Sequence, residues 1–191
     1  MNSKNETGHP RKTLSVRGAN ASDAQKIARI HFDIWRMAYR GRIPDAVSDA
    51  QSVGGRAAFW RERLAQTSGS VFVAESDEVV GFCELVPSRD KDADPKAVGE
   101  IAAIYVLRQH WRGGAGRALC DCGLAEARRR GYETVTLWVS ASNHGASRFY
   151  EAMGFSLDVA TKIEKLADGS NLHEIRFRRR AALTQSEGKQ Q

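Results

Sequence analysis

Three glycines and two arginines fall within residues 111–117, WRGGAGR, between an apolar run ending at Val106 and a segment with helical spacing. Glycine is a poor helix former, so three of them at a helix entrance need a reason. Anion binding is one. The first turn of a helix leaves backbone N–H groups unpaired at the positive end of its dipole, and such an end attracts phosphate. Gly113, Gly114 and Gly116 carry no Cβ to hold an anion away from those groups, while Arg112 and Arg117 add full charges. A tight strand-to-helix turn would use the same glycines, so the stretch alone leaves both readings open. Two phosphate-binding classes lose ground: no Lys-Ser or Lys-Thr follows as in a P-loop, and the spacing is not GxGxxG.

Other reactive side chains are less organised. His31, His110, His144 and His173 are scattered with no pair at a metal-ligand spacing, so structural or surface roles are expected and no metal is. Cys83, Cys120 and Cys122 are odd in number, and Cys120 and Cys122 sit two apart on a predicted helix, pointing to different faces. The run 176–180, RFRRR, could touch nucleic acid, or it could be an edge strand whose charges discourage aggregation, which is the expectation adopted.

The elements that must position these residues follow from patterning. A first strand is expected over 13–17, then a helix capped by Ser22 or Asp23 with apolar residues Ile27, Ile30, Ile34 and Trp35, running to about Tyr39. Gly41 and Pro44 break it, and 56–65 is a short helix. Runs 71–74 and 79–86 read as a hairpin, and 100–106, EIAAIYV, reads as the central strand because it is apolar on both faces after Glu100. A helix over 114–130 shows Ala118, Leu119, Cys122 and Ala125 on one face and ends at Gly131. A strand over 134–139, a helix over 142–153 capped by Ser142 or Asn143, and a hairpin over 155–179 complete the pattern.

The chain has 191 residues, 41% hydrophobic and 27% charged, enough for one well-buried core. Residues 1–12 and 183–191 are polar tails, and 13–182 is expected to be a single domain. A net charge of +6 suits an anionic ligand without identifying it. No apolar stretch approaches membrane-spanning length and the start lacks a signal-peptide core, so the cytoplasm is the expected home.

Taken together, these residues resemble the GNAT superfamily of N-acetyltransferases, whose acyl-CoA motif reads Gln/Arg-x-x-Gly-x-Gly/Ala after a strand and opening a helix. Aligned on Gly114 and Gly116, the Gln/Arg slot holds Trp111 with Arg112 one place later, which leaves the first pyrophosphate contact to backbone or to the shifted guanidinium. Residues 101–106 stand where the family's fourth strand would be. Asn143, Ala146, Phe149, Tyr150, Glu151, Gly154 and Phe155 resemble its second motif, with asparagine seven residues before tyrosine. Trp35, Tyr39 and Pro44 resemble early helical segments that form acceptor pockets, to which Phe59 and Trp60 could add. The resemblance spans about residues 14–180.

The resemblance implies an α/β fold: a mixed, largely antiparallel twisted sheet of about six or seven strands flanked by helices, splayed between the fourth and fifth strands. It implies acetyl-CoA as acyl-donor cosubstrate, without a metal. The backbones of Ile104, Tyr105 and Val106 would pair with pantetheine, and Arg112, Gly113, Gly114, Ala115, Gly116 and Arg117 would hold the diphosphate. Asn143, Ala146, Phe149 and Tyr150 would complete the donor site. Glu100 would act as general base on the amine and Tyr150 as general acid toward the thiolate. The acceptor would be a primary amine of a small molecule, peptide or protein, and a homodimer is compatible with such folds. Two alternatives stay open at this point: a basic nucleic-acid-binding protein, and a non-catalytic acyl-CoA sensor with the same fold.

Overall fold

The computed structural model describes residues 13–38, 53–66, 69–165 and 169–181, with the backbone alone at 35–38. In chain order it contains β1 (Ser15–Gly18), α1 (Ala24–Ala38), α2 (Val53–Ala65), β2 (Ser70–Glu75), β3 (Val79–Pro87), β4 (Val98–Val106), α3 (Ala115–Arg129), β5 (Thr134–Ser140), α4 (His144–Ala152), β6 (Ser156–Lys165) and β7 (Asn171–Arg180). The strands form one seven-stranded sheet in the order β1-β2-β3-β4-β5-β7-β6. Every neighbouring pair is antiparallel except β4 with β5. The expected mixed sheet is therefore present, with β4 at its centre. No described helix is long and apolar enough to cross a membrane. The expected breaks at Gly41 and Pro44, the side chains of Trp35 and Tyr39, and the two expected tails lie outside the described residues.

Apolar residues cover both faces of this sheet. On one face, Leu119, Cys120, Leu124 and Ala127 of α3 pack with Ile101, Val135 and Leu137. On the other, Ile27, Ala28 and Ile30 of α1 and Ala57 and Trp60 of α2 pack with Val73 and Phe82. Asn20 caps the short turn that leads into α1: its side chain accepts from the Ser22 N–H at 2.9 Å, and Asp23 accepts from the Asn20 N–H at 2.9 Å. Asp23 is buried and satisfied by Arg17 at 2.7 and 3.0 Å. The cap thus lies slightly upstream of the expected Ser22 or Asp23.

Two expectations need correction. The buried side of α3 centres on Leu119, Cys120, Gly123, Leu124 and Ala127, while Ala125 is exposed. Apolar spacing passed over Gly123, which is buried because it has no side chain: a Cβ there would lie 3.2 Å from the sulfur of Cys83. Second, β7 is not an edge strand, because it lies between β5 and β6. Hairpin partners need not be placed with the later strand outermost, and here β6 takes the edge, with Leu157, Val159 and Ile163 exposed.

His31 of α1 sits in the aromatic layer beneath the sheet. Its Nδ1 accepts from the indole N–H of Trp60 at 3.3 Å, and its ring stacks on Tyr105 with centroids 5.4 Å apart. Burial, and then the charge of Arg56, lower its pKa from 6.5 to about 4. As pH falls below 6.5 the unfolded chain takes up a proton that the folded chain refuses, so stability is lost between pH 6.5 and about 4 and no further below. The gap corresponds to at most about 3 kcal/mol, reduced by the ring's partial solvent access. Urea midpoints at pH 7 and pH 4.5 test this: His31→Gln, which keeps an acceptor but does not titrate, should lose distinctly less stability than wild type. Equal losses would assign the acid sensitivity elsewhere.

Candidate active site

The site begins where β4 and β5 part. They pair only through Val98↔Thr134, Gly99↔Val135 and Glu100↔Thr136, after which β4 continues to Val106 and β5 to Ser140 without pairing. The strands therefore open a fork whose base is Glu100. On its other side β4 stays paired with β3, but the register slips: Leu85 opposes Ile101 while Glu84 opposes Ala103, so Ala102 is an extra residue. This bulge explains why Ile101 and Ile104, three apart, both join the core beneath α3, whereas Ala103 and Tyr105 face α1 and α2. By the same alternation Glu100 faces the α1 and α2 side.

Hydrogen-bond parity identifies the backbone groups lining the fork. Leu107 N–H donates to the Val80 carbonyl at 2.9 Å, and Val106 is opposite Gly81. In an antiparallel pair this makes Val106/Gly81 and Ile104/Cys83 the positions whose N–H and C=O point away from β3. Ile104 and Val106 thus turn their backbones into the fork. Tyr105 does not: its backbone is committed to Phe82 on β3, and its ring packs against His31 and Phe82. Residue-by-residue alternation is what separates it from its two neighbours.

The mouth of the fork meets the glycine stretch. Gly114 is the N-cap of α3 with φ of 90°, a conformation suited to glycine, and no side chain caps the helix. The first backbone bond into the helix is Ala118 N–H to the Gly114 carbonyl at 3.0 Å, so the N–H groups of Ala115, Gly116 and Arg117 lack intrahelical partners. Ala115 is buried, while Arg112, Gly113 and Arg117 are exposed. Arg112 adopts φ of 61° without being glycine. A Cβ on Gly113 would press on the His110 carbonyl at 3.2 Å, and one on Gly116 would touch the Phe149 ring at 3.6 Å. Free N–H groups, flanking guanidiniums and an adjoining slot lined by backbone suit a thin ligand with a diphosphate at one end. Trp111 sits with its indole 55% exposed, donating from Nε1 to the Val106 carbonyl at 2.7 Å. That carbonyl is one of the fork-facing groups, so this chain's departure from the motif reaches into the fork itself.

From the far side, α4 presents Ala146, Phe149 and Tyr150. Asn143 caps the helix, its Oδ1 accepting from the Ala146 N–H at 3.1 Å. Tyr150 is 9% exposed, its ring 5.0 Å from Phe149 and 5.8 Å from Phe155. Burial, above all, pushes its phenol up from 10, so it carries its proton at any physiological pH.

Glu100 is 2% exposed. Arg89 clasps it, with Nε on Oε2 at 3.0 Å and Nη2 on Oε1 at 2.5 Å, and the Arg89 backbone N–H adds a third bond at 3.1 Å. Burial raises its pKa, but the hydrogen bonds and charge of Arg89 outweigh that, and the carboxyl is held below its usual 4.5.

Sequence reasoning missed the polar group beside Glu100. Trp138 of β5 donates to Asp90 at 3.0 Å. Arg176 is buried, with Nη1 on Asp90 at 3.1 Å, both Nη atoms on Asp92 at 2.7 Å, and Nε on Asp158 at 2.9 Å. Two arginines of the run are thus committed to the protein, Arg179 likewise donating to the Met153 carbonyl, while Arg178 and Arg180 are exposed. A buried arginine in an RFRRR run has no signature distinguishing it from its exposed neighbours. Of the aromatic residues considered for an acceptor pocket, Trp60 is core and Phe59 is exposed.

Comparisons with known proteins bear on the family and the fold. The family model described as "Acetyltransferase (GNAT) family" matches residues 29–155. The uncharacterized N-acetyltransferase YuaI of Bacillus subtilis is 32% identical over 141 residues, covering 73% of this chain and 78% of the relative. An uncharacterized N-acetyltransferase of Archaeoglobus fulgidus is 29% identical, covering 72% and 89%. Among solved structures, an N-acetyltransferase from Staphylococcus aureus superposes with a TM-score of 0.71 at 21% identity, covering 89% of this chain and 99% of that one. The structure of yncA from Salmonella typhimurium with its cofactor acetyl-CoA superposes at 0.68 and 20% identity, covering 92% and 98%. At these identities the superpositions speak for the fold.

Proposed function

The chain belongs to the acetyltransferase (GNAT) family, and on that premise we propose that it passes an acetyl group from acetyl-CoA directly to a primary amine of a small molecule, peptide or protein. The observation that carries this reading is the fork between β4 and β5, open beyond Glu100 and ending at the uncapped start of α3. Acetyl-CoA, when bound, supplies an activated acetyl thioester. The N–H groups of Ala115, Gly116 and Arg117, with Arg112 and Arg117 beside them, would hold its diphosphate. The Val106 N–H would hold the pantetheine arm near the mouth, and the Ile104 N–H, closer to Glu100, would polarise the thioester carbonyl.

An amine with pKa about 10.4 must lose a proton before attacking, which at pH 7 costs about 4.6 kcal/mol if solvent takes it. Transfer to a carboxyl held below 4.5 would cost more, about 8 kcal/mol or above. Glu100, matched by Arg89, therefore fixes the base of the fork in this proposal and is not the proton's destination. Tyr150 holds a proton at its hydroxyl, available to the departing sulfur, whose thiol pKa is about 8.5.

Calorimetry should find acetyl-CoA binding at micromolar concentration, and thiol release should depend on an added amine. No binding at millimolar acetyl-CoA would reject the proposal. Across amines of different pKa, the acid limb of kcat/KM should move with the amine. A limb fixed at one value for all amines would return the proton-accepting role to a group on the protein.

A further inference from the structure

We propose that the face of Trp138 is a seat for a second positive charge on the acceptor, occupied in the free protein by the Lys162 ammonium, so that the acceptor is a diamine or polyamine. This rests on the acetyltransferase reading and deepens it.

The placement comes from β5. Val135, Leu137 and Val139 join the core beneath α3, so the intervening Trp138 faces the opposite side of the sheet. It is two residues beyond Thr136, the last β5 residue paired with β4, on the face from which Glu100 projects. Trp138 thus stands on the wall of the fork where an acceptor entering from the α1 and α2 side would pass.

The ring already binds a cation. Lys162 reaches from the edge strand β6, its Nζ 4.4 Å from the Trp138 ring centroid and 3.2 Å from the Glu174 carboxylate. An ammonium over an indole face beside a carboxylate is how proteins hold cationic ligands. The ring is also fixed in advance: Asp90 accepts from its N–H, and Arg176, held by three aspartates, lies 5.7 Å from its centroid. Lys162, by contrast, is weakly held. Its side chain is 44% exposed, and a solvent-accessible pair of this kind is readily displaced.

Charge favours a cation as the replacement. Arg176 is matched by Asp90, Asp92 and Asp158, with Arg178 also near Asp92, and Glu100 is matched by Arg89. Glu174 has Lys162 as its partner and would be left without it. Glu100 is paired with Thr136, and Trp138 follows two residues later on the same face of β5, so seat and fork base are close enough for one short molecule to engage both. An amine with two charges separated by a few methylenes would place one on Trp138 and Glu174 and present the other at the fork.

The test is a series of α,ω-diamines, spermidine, and n-alkylamines of matched length with acetyl-CoA, on wild type, Trp138→Leu and Lys162→Met, each checked for folding by circular dichroism. In wild type kcat/KM for the best diamine should exceed that of its matched monoamine about tenfold. Trp138→Leu should bring that ratio toward one through KM, and Lys162→Met should lower the diamine KM several-fold. Equal use of monoamines and diamines by wild type, or a Trp138→Leu change that slows both alike, would overturn the seat. Calorimetry of spermidine into the CoA-saturated protein reads the seat without turnover: binding independent of Trp138 overturns it even if acetyl-CoA binds. Failure to bind acetyl-CoA would sink the enzyme reading instead, while spermidine binding to the protein alone still decides the seat.

Discussion

Tyr150→Phe is expected to lower kcat about 10²- to 10³-fold while leaving the acetyl-CoA Kd within about twofold. The Tyr150 ring stands on α4 inside an aromatic cluster of Phe149, Phe155 and Phe177 that the phenyl ring of Phe would fill equally well. Packing is therefore preserved and only the proton is removed. Because burial raises the phenol, the hydroxyl does not lose that proton at pH 7 and remains a donor through the working range. Stopped-flow or steady-state thiol release with a good acceptor, beside calorimetry of acetyl-CoA, separates the two quantities. An unchanged kcat would leave Tyr150 as a packing residue only, and a parallel loss of acetyl-CoA affinity would make it a donor-binding residue instead.

Arg176→Met is expected to cost about 3–5 kcal/mol of folding stability, the range for removing one partner of a buried ionic group. The guanidinium serves three carboxylates at once: Asp158 through Nε, Asp90 through Nη1, and Asp92 through both Nη atoms. Asp158 and Asp90 are largely buried, and neither has solvent enough to replace the lost cation. Arg176→Lys should recover less than half of the loss, since one ammonium cannot reproduce a planar fork. Urea unfolding at pH 7 measures both variants. A loss below about 1 kcal/mol for the methionine variant would mean that the aspartates relax into water and that the cluster is a surface feature.

Much of this molecule could be read from one dimension. Local patterning marked the central strand at 100–106, the helix behind WRGGAGR, a cap at Ser142 or Asn143 and the closing hairpin, because each depends on neighbours within a few residues: apolar alternation, glycine before a helix, a side-chain oxygen near a helix start. The proposed donor side of the site is legible for the same reason, being built from backbone at a strand end and a helix start.

The proposed acceptor side was not legible, since it is assembled across strands. Strand order decided it. With β7 inserted between β5 and β6, Arg176 faces Trp138 instead of solvent, and Asp158 comes within reach of the same guanidinium. The Ala102 bulge decided which faces Glu100 and Ile104 occupy, and register parity turned Ile104 and Val106, but not Tyr105, into the fork. Glu100 looked like a free carboxylate because Arg89 is eleven residues away, across a loop. Sequence alone determined which segments fold and where an anion could be gripped; only the tertiary pairing of distant strands determined which charges are spent on one another and which are left for a ligand.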